Sequence, residues 1–365
     1  MDVKKNGGKM NKIFVAGMTC ILLTITILPA TPYQAGMTNN FHIEKRYILT
    51  NGGGNILYVG GSGPNNYTKI QDAIDDASDG DTVFVYSGTY YENVVINKSI
   101  NLIGEDKNTT IIDGGEHEKG IYISGNWVNV SGFKVINCKA NFHYEGAAIF
   151  LKYSYYSHVS NNIIVGNTVD GVSLSHSSHN IISDNEILNN GGEGINIYLS
   201  ERNNLTNNYI EGNYRGIFVN SGDYNYISNN VIKNCRAGGV QLSLSRHNTV
   251  IQNSIIKDDA GIYLYRSYNN DVIGNNILNN RVGVTFFVGE DNFFKNNNFI
   301  FNRLHAFFSY AYNNRWIRNY WNNWHLPLPK PIIGEAYLIP LIQFDWMPRL
   351  FPYGGEGKCV ELQQF

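Results

Sequence analysis

The chain has 365 residues, of which 16% are charged, and its formal net charge at pH 7 is −2. It contains no basic patch interleaved with aromatic residues, which argues against nucleic acid as a partner. A chain of this length would ordinarily form two or three domains, but a fixed internal period favours one elongated solenoid. Its solubility then depends on amides and hydroxyls more than on ionic groups.

The first 30 residues have the order of a secretory signal. Lysines precede an apolar run over residues 13–28, which Pro29 and Ala30 close. The run is short for a spanning helix of about 20 residues, so an uncleaved anchor is the alternative and the only predicted contact with a membrane. We predict a signal peptide or N-terminal anchor over residues 1–30, a linker over 31–55, and a secreted or cell-surface location.

Residues 56–115 are predicted to form an N-terminal cap and the first coils of the solenoid. Thr68 and Gln71 have the spacing of a capping box, which opens an amphipathic helix that ends at Gly80. The apolar face of this helix consists of Ile70, Ala73, Ile74 and Ala77. A helix here would cover the otherwise open end of the first coil.

From Ala148 onward the sequence repeats in steps of 22 or 23 residues. The period is marked by a glycine-rich column, which consists of Ala148, Gly171, Gly194, Gly216, Gly239, Gly261, Gly283 and His305. A polar column follows nine residues later, with Ser157, Asn180, Asn203, Asn225, Asn248, Asn270, Asn292 and Asn314. A third column, five residues further on, is asparagine throughout: Asn162, Asn185, Asn208, Asn230, Asn253, Asn275, Asn297 and Asn319. Asparagine tolerates the left-handed backbone of sharp bends, and stacked amides can hydrogen-bond from coil to coil.

Apolar residues alternate around these columns with a period of two, which is typical of strands with one buried face. Two apolar columns follow the glycine-rich column, beginning at Ile149 and Leu151, and two flank the asparagines, beginning at Val159 and Ile164. A single coil is too small to bury its own apolar face, so coils must stack. We therefore predict an all-β, single-stranded parallel β-helix with repeats over residues 116–322.

The apolar columns become aromatic in the last coils, at Phe286, Phe294, Phe299, Phe308, Trp316 and Trp321. A proline-rich segment over residues 327–340 follows. We predict that residues 323–365 form a C-terminal cap and tail. Cys138 and Cys235 lie several coils apart, which at about 4.8 Å per coil excludes a disulfide between them.

The segment over residues 56–115 contains YTKIQDAIDDASDGDTVFVYSGTYYENVVINKSINLIGEDKNTTIIDG and resembles the opening of the pectin-lyase-like superfamily, especially archaeal and bacterial surface proteins. The later coils resemble the β-helix repeats of the NosD and carbohydrate-associated group, and NYWNNWHLPLPKPIIGEAYLIPLIQFDW resembles the ending of archaeal members. The resemblance covers residues 56–353 and implies a right-handed β-helix at the cell surface or in the periplasm. It implies less about chemistry, because the family mixes lyases, hydrolases, metal-delivery accessories and proteins without known activity.

Charged residues recur in the turn before the glycine-rich column, in coils about 5 Å apart. They are Asp170, Glu193, Arg215, Arg236, Asp258, Asp259 and Arg281. Polysaccharide-cleaving β-helices use carboxylates as acid and base or to hold calcium, and a basic residue for developing charge. We therefore expect these carboxylates and guanidiniums to meet on one outer ridge.

The pair Asp258 and Asp259 loosely resembles the paired aspartates of polygalacturonase-like hydrolases. If the protein is an enzyme, we assign catalysis to Asp258, Asp259, Arg236 and Arg281. Those hydrolases also have a downstream histidine, and the following coil of this chain has none. A solvated turn with charges that support each other weakly is the alternative interpretation.

Substrate binding is assigned to Asp170, Glu193, Arg215, Phe218 and Tyr263. The two aromatic residues occupy outward strand positions, where exposed rings can stack on sugar rings or on a partner surface.

Among the histidines, the only pattern that suggests a metal site is His176 with His179, and His158 and His247 lie in other coils. Because no cysteine or methionine joins them into a soft-metal site, we assign no metal ligands.

These observations favour a noncatalytic exported β-helix that needs no cofactor and binds a polysaccharide or cell-envelope glycan, or contributes to an envelope layer. The first alternative is a polysaccharide lyase or glycoside hydrolase, for which calcium is the candidate cofactor. The second alternative is a NosD-like copper-accessory protein. The sequence leaves the identity of the glycan and the oligomeric state open.

Overall fold

The computed structural model describes residues 54–139, 146–337 and 339–354, which form a right-handed parallel β-helix. The chain winds repeatedly through three rows of strands, and each strand pairs in parallel with its equivalent one coil later. The predicted all-β parallel β-helix is therefore confirmed. The predicted signal peptide or anchor lies outside the described residues, and no helix among the described residues is long and apolar enough to cross a membrane.

The first row contains the strands that follow the glycine-rich column and their equivalents: Val94–Ile96, Lys119–Ile123, Ala147–Lys152, Asp170–Ser175, Ile195–Tyr198, Arg215–Asn220, Gly238–Ser243, Ala260–Tyr265, Val282–Glu290, Leu304–Tyr312 and Lys330–Ala336. The second row lies across the next bend: Ile56–Val59, Thr82–Val85, Asn101–Gly104, Asn129–Ser131, His158–Ser160, Ile181–Ser183, Asn204–Thr206, Tyr226–Ser228, Thr249–Ile251, Asp271–Ile273, Phe293–Lys295, Arg315–Ile317 and Ile339–Asp345. The third row completes each coil: Gly88–Tyr91, Thr110–Asp113, Lys134–Ile136, Ile163–Val165, Glu186–Leu188, Tyr209–Glu211, Val231–Lys233, Ser254–Ile256, Asn276–Leu278, Asn298–Ile300 and Tyr320–Trp321.

The core of the solenoid is built from the four apolar columns, whose members are all buried. Strand register stacks each member on its equivalent in the next coil, as Ile149 on Val172 and Ile164 on Ile187. Fully burying one such aliphatic side chain contributes about 1.5–3 kcal/mol. The stack of coils therefore forms a continuous apolar core that no single coil could make.

Asparagine side chains connect successive coils at the bends. The backbone N–H and the Nδ2 of Asn185 both donate to Oδ1 of Asn208, at 3.1 Å each, and Nδ2 also donates to the carbonyl of Val159 at 2.9 Å. The residues with left-handed backbone are the ones immediately before the ladder positions, such as Asp184 and Asn207 with φ of 56° and 57°. The ladder asparagines thus satisfy buried backbone groups, while their neighbours make the bend.

A further polar column, which the sequence alone did not reveal, lies three or four residues before the glycine-rich column from Asn167 onward, and Cys138 begins it one longer coil earlier. Its members are buried, and they are Cys138, Asn167, Asn190, Asn213, Cys235, Asp258, Asn280 and Asn302. It repeats the geometry of the other ladders, since Asn190 donates through its backbone N–H and Nδ2 to Asn213 at 2.9 and 3.0 Å. Cys138 and Cys235 are both buried free thiols within this column.

The N-terminal helix forms, but the capping box predicted for it does not. The helix spans Ile70–Asp76, and its N-terminal residue Lys69 makes no side-chain capping bond. The carboxylate of Glu92 instead accepts the backbone N–H groups of Ile70 and Gln71, at 2.8 and 3.0 Å. The helix also ends before Gly80, because the chain becomes extended at Ala77. A residue from the next coil therefore replaces the local cap.

The aromatic residues of the last coils form a stack inside the solenoid. Phe294 lies 4.0 Å from Trp316 and Phe299 lies 4.2 Å from Trp321, measured between ring centroids. The chain then forms an antiparallel hairpin of Lys330–Ala336 and Ile339–Asp345. Asp345 ends the central asparagine ladder, because its Oδ2 accepts both N–H and Nδ2 of Asn319 at 3.0 Å.

Candidate functional site

The first row presents an outer face formed by the side chains that alternate with the buried ones. One column of this face contains Lys119, Ala147 and Asp170 in register, and it continues through Glu193 and Arg215. A second column, on the same strands, consists of Tyr122, Phe150, Ser173, Asn196, Phe218, Gln241, Tyr263, Thr285 and Phe307. Residues assigned to substrate binding thus belong to one continuous surface, which is called the outer face below.

Asp170, Glu193 and Arg215 form a hydrogen-bonded cluster in three successive coils. Arg215 donates from Nη1 to Oε1 of Glu193 at 2.6 Å and from its backbone N–H to Oε2 at 3.1 Å. The Oδ1 of Asp170 accepts the backbone N–H of Glu193, and its Oδ2 accepts Nδ2 of Asn196, both at 2.8 Å. Every carboxylate oxygen in the cluster therefore already has a protein donor.

The two carboxyl groups of this cluster are less acidic than usual. Burial raises the pKa of Asp170 to about 7, against the hydrogen bonds from Asn196 and Glu193. Burial also raises the pKa of Glu193, although Arg215 opposes the shift through its charge and its hydrogen bonds. Asp170 thus changes charge near neutral pH.

The aromatic residues of the outer face are less exposed than the sequence analysis expected. Phe218 is half-buried and lies 4.7 Å from the guanidinium of Arg215, which also lies 4.9 Å from the ring of Tyr214. Tyr263 is half-buried, and Phe150 is buried despite its outward position. Phe218 therefore supports the arginine as well as presenting apolar surface.

A groove of about 570 Å³ lies on the outer face, toward the N-terminal end of the solenoid. Among the described residues it is lined by Asn93, Val94, Val95, His117, Glu118, Lys119, Tyr122, Phe150 and Lys152. The rings of Tyr122 and Phe150 are 5.9 Å apart, and Nζ of Lys119 lies 5.4 Å from the Phe150 centroid. The groove was not predicted from the sequence, although Tyr122 precedes Phe150 in the same column.

The structure separates the two aspartates that were predicted to form a catalytic pair. Asp258 is 3% exposed and belongs to the buried polar column, where its Oδ1 accepts the backbone N–H of Cys235 at 2.6 Å. Asp259 faces solvent and pairs with Arg281, whereas Arg236 is exposed in another coil. The expected single ridge is therefore wrong for Asp258, because the bend at Lys257 turns its side chain inward. Catalytic roles for Asp259, Arg236 and Arg281 stay predictions.

The histidines considered for a soft metal are engaged in other contacts. Nε2 of His158 lies 2.9 Å from Oγ of Ser183, and the ring of His179 stacks on Tyr156 at 5.0 Å. Across residues 54–139, 146–337 and 339–354, no three His, Cys, Asp or Glu side chains are grouped so that they could hold a metal ion. Burial also raises the pKa of both described thiols, which disfavours the thiolate that a metal requires.

Comparison with known proteins gives one family and one curated relative. The family model described as "Periplasmic copper-binding protein (NosD)" matches residues 74–254 and 212–338. Over 82 residues the chain is 40% identical to a cell surface glycoprotein of Methanothermus fervidus. That alignment covers 22% of this chain and only 14% of the glycoprotein.

Several solved structures share the fold at low sequence identity. The complex of XylC with xylose has a TM-score of 0.60 at 12% identity, and the superposition covers 80% of this chain and 73% of that one. A DFA-IIIase mutant from Arthrobacter chlorophenolicus A6 in complex with DFA-III has a TM-score of 0.58 at 11% identity, with coverage of 83% and 87%. The A-module of the mannuronan C-5 epimerase AlgE6 from Azotobacter vinelandii has a TM-score of 0.52 at 14% identity, with coverage of 74% and 91%. These likenesses show the fold alone.

Proposed function

The chain belongs to the family of periplasmic copper-binding proteins (NosD), and from that premise we propose that it is an exported surface protein that binds glycan on its outer face without cleaving it. Similarity to a cell surface glycoprotein supports the location. The chain spans only about a seventh of that relative. The binding function is therefore inferred from the residues on the outer face of this chain.

The groove supports binding because it combines the two kinds of surface that sugars require. Aromatic carbon is supplied by the half-buried ring of Tyr122, beneath which the buried Phe150 packs, and hydrogen-bonding groups are supplied by side chains such as Asn93, His117 and Lys119. A volume of about 570 Å³ falls in the range of small-ligand sites, roughly 300–1,000 Å³. The adjoining column leads to Asp170 two coils away, so an extended chain could continue along the outer face.

The hydrogen bonds already made by the carboxylates of Asp170 and Glu193 are the observation that favours binding over cleavage. A general base needs a carboxylate oxygen that can reach a substrate proton. Both oxygens of Glu193 are bound by Arg215, and both oxygens of Asp170 accept hydrogen bonds from their own fold. The cluster therefore stabilises the conformation of the outer face, and its carboxylate oxygens are not free to accept a proton from a ligand.

The test is a binding and product assay on one panel of neutral and acidic polysaccharides, with and without calcium. Calorimetric binding without new reducing ends or unsaturated products is the expected result. A Lys119→Met/Tyr122→Ala double variant should lose most of the binding, because it removes a cation and a ring from the groove. The matched control is Lys233→Met/Tyr209→Ala. These residues form an equivalent pair on the third row of strands, away from the outer face, with Nζ of Lys233 5.0 Å from the centroid of the Tyr209 ring. Equal losses in both variants, or no binding at all, would contradict the proposal.

One observation favours a second candidate, a polysaccharide lyase or glycoside hydrolase. The raised pKa of Asp170, about 7, is suited to a general acid at neutral pH. In that case product should form in the same assay and disappear in Asp170→Asn. Comparing the assay with and without calcium tests whether cleavage needs the cation. Asp259→Ala tests whether Asp259, the solvent-facing member of the predicted aspartate pair, takes part in cleavage.

Copper is not part of the proposal, because the described residues do not fit a copper site. The family description suggests copper as a ligand. Among the described residues, however, the histidines do not group into a metal site and the two thiols are buried. Metal analysis of the purified chain decides the matter. Stoichiometric copper that is lost in a His176→Ala/His179→Ala variant would overturn this conclusion.

A further inference from the structure

The C-terminal hairpin has two different faces. Its strands, Lys330–Ala336 and Ile339–Asp345, pair antiparallel and close the end of the solenoid. Ile332, Ala336 and Asp345 point toward the last coil and are buried. This inward face continues the fold of the solenoid, and it accounts for only half of the side chains in the hairpin.

The opposite face of the hairpin is apolar and exposed. Its centre is the cross-strand pair Ile333 and Ile342, which are 61% and 57% exposed. Phe344 lies beside them and 5.5 Å from Trp346, measured between ring centroids. Exposed apolar side chains on this face and in the loop that follows are Ile333, Ile342, Phe344, Trp346, Met347 and Leu350. These six residues are called the hairpin patch.

The hairpin patch is large for a surface that faces only water. Six side chains that each expose about half of roughly 200 Å² present on the order of 600 Å². The largest apolar patch on a typical monomer is about 300–600 Å², and a standard protein interface buries about 800 Å² on each partner. The area therefore approaches what a stable dimer requires.

Charges at the two ends of the patch are complementary to each other. The exposed Glu335 lies on the same face as Ile333, near the hairpin turn. Arg318 and Arg349 lie at the other end, where they line a groove of about 490 Å³ with Trp346 and Leu350. A two-fold axis through the centre of the patch reverses its direction, so it places the acidic end of one copy over the basic end of the other.

We infer that the hairpin patch binds a second copy of this chain, giving a two-fold dimer joined at the C-terminal ends of two solenoids. Ile333 and Ile342 of each copy form the apolar centre, and Glu335 of one copy pairs with Arg318 of the other. Such a contact is isologous, so it closes after two copies and does not lead to fibres.

The experiment is sedimentation equilibrium of the full chain over a range of concentrations. The expected mass is twice the 41.1 kDa of one chain. Ile333→Asp/Ile342→Asp should raise the dissociation constant at least a hundredfold, whereas the matched control Leu244→Asp, at a position 50% exposed in the solenoid, should leave it unchanged. All three substituted positions are exposed, and circular dichroism checks that each variant retains the fold.

A charge exchange tests the orientation. Glu335→Arg alone and Arg318→Glu alone should each weaken the dimer about tenfold, and the double variant should recover most of the affinity. A monomer at every concentration would overturn the inference, as would a dimer insensitive to the hairpin substitutions. A monomer that instead binds vesicles of phosphatidylcholine and phosphatidylglycerol through Ile333 and Ile342 would assign the patch to a lipid surface and overturn the dimer.

Discussion

Asp258 accepts the backbone N–H of Cys235 at 2.6 Å within a buried column whose neighbouring positions are mostly asparagine. Its own backbone N–H donates to Oδ1 of Asn280 at 2.9 Å, as an asparagine in the ladder would do. The other oxygen, Oδ2, has no hydrogen-bond partner among the described residues. Burial raises the pKa of Asp258 to about 8. The side chain is therefore a protonated acid at neutral pH, in a position suited to an amide.

Replacing this acid by the matching amide should stabilise the protein at alkaline pH. An unfolded aspartate has a pKa of about 3.9. Between that value and about 8 the unfolded chain loses the proton while the folded chain keeps it, so the free energy of unfolding falls as pH rises through this range. Asp258→Asn removes that decline and should gain on the order of 5 kcal/mol at pH 9.

Denaturant unfolding of both proteins at several pH values from 5 to 9 measures the difference. Asp259→Asn is the control, because that carboxylate faces solvent and should change stability little. A difference between Asp258→Asn and the parent that is the same at pH 5 and pH 9 would show that the carboxyl is not protonated in the fold.

Asp345 should be the key residue at the C-terminal end of the central ladder. Its Oδ2 accepts hydrogen bonds from the backbone N–H and Nδ2 of Asn319 and from Nε1 of Trp321, each at 3.0 Å. Asp345→Ala leaves three buried donors without an acceptor and should lower the free energy of unfolding by at least about 3 kcal/mol. Asp345→Asn keeps one accepting oxygen and should lose less. Thermal unfolding of the two variants measures these losses of stability. Equal losses of unfolding free energy in both variants would rule out the role of Asp345 as a hydrogen-bond acceptor.

Binding of charged glycans should depend on pH through Asp170. Burial raises its pKa to about 7, so it is neutral below that pH and negative above it. An acidic polysaccharide should therefore bind more tightly at pH 5.5 than at pH 8.5, and a neutral polysaccharide should bind equally at both. Calorimetry with Asp170→Asn checks the assignment, since the pH dependence should then disappear. Persistence of the full dependence in the variant would show that Asp170 is not the group responsible.

The glycine-rich column should not tolerate a methyl group at Gly194. A Cβ there would lie 2.5 Å from the carbonyl oxygen of Gly216 and 2.6 Å from Cγ2 of Ile210, which are both closer than real contacts. Because the carbonyl belongs to a paired strand, it cannot move without disturbing the ladder. We expect Gly194→Ala to destabilise the fold by about 2–4 kcal/mol, measured by urea unfolding. Thr285→Ala, at a half-buried outward position in another strand of the first row, is the control and should lose less than half as much.

The candidate site was only partly accessible to sequence analysis. Asp170, Glu193 and Arg215 were predicted to meet because they recur one coil apart, and the structure brings them into one cluster. Asp258 has the same spacing, but it is buried, because the left-handed backbone of Lys257 turns the next side chain inward. The spacing of Asn190, Asn213, Asn280 and Asn302 repeats at 22 or 23 residues or its multiples, so it could have revealed the column to which Asp258 belongs.

The sequence by itself determined the coil length, the parallel stacking and the buried columns, because each coil repeats the same local alternation and stacks equivalent residues on one another. It could not determine which polar side chains face inward at a bend, since this depends on backbone angles of single residues. Nor could it assemble the groove, whose lining comes from separate coils, or the hairpin patch, which lies outside the repeat. Those features arise from contacts without a period, and only the tertiary structure decided them.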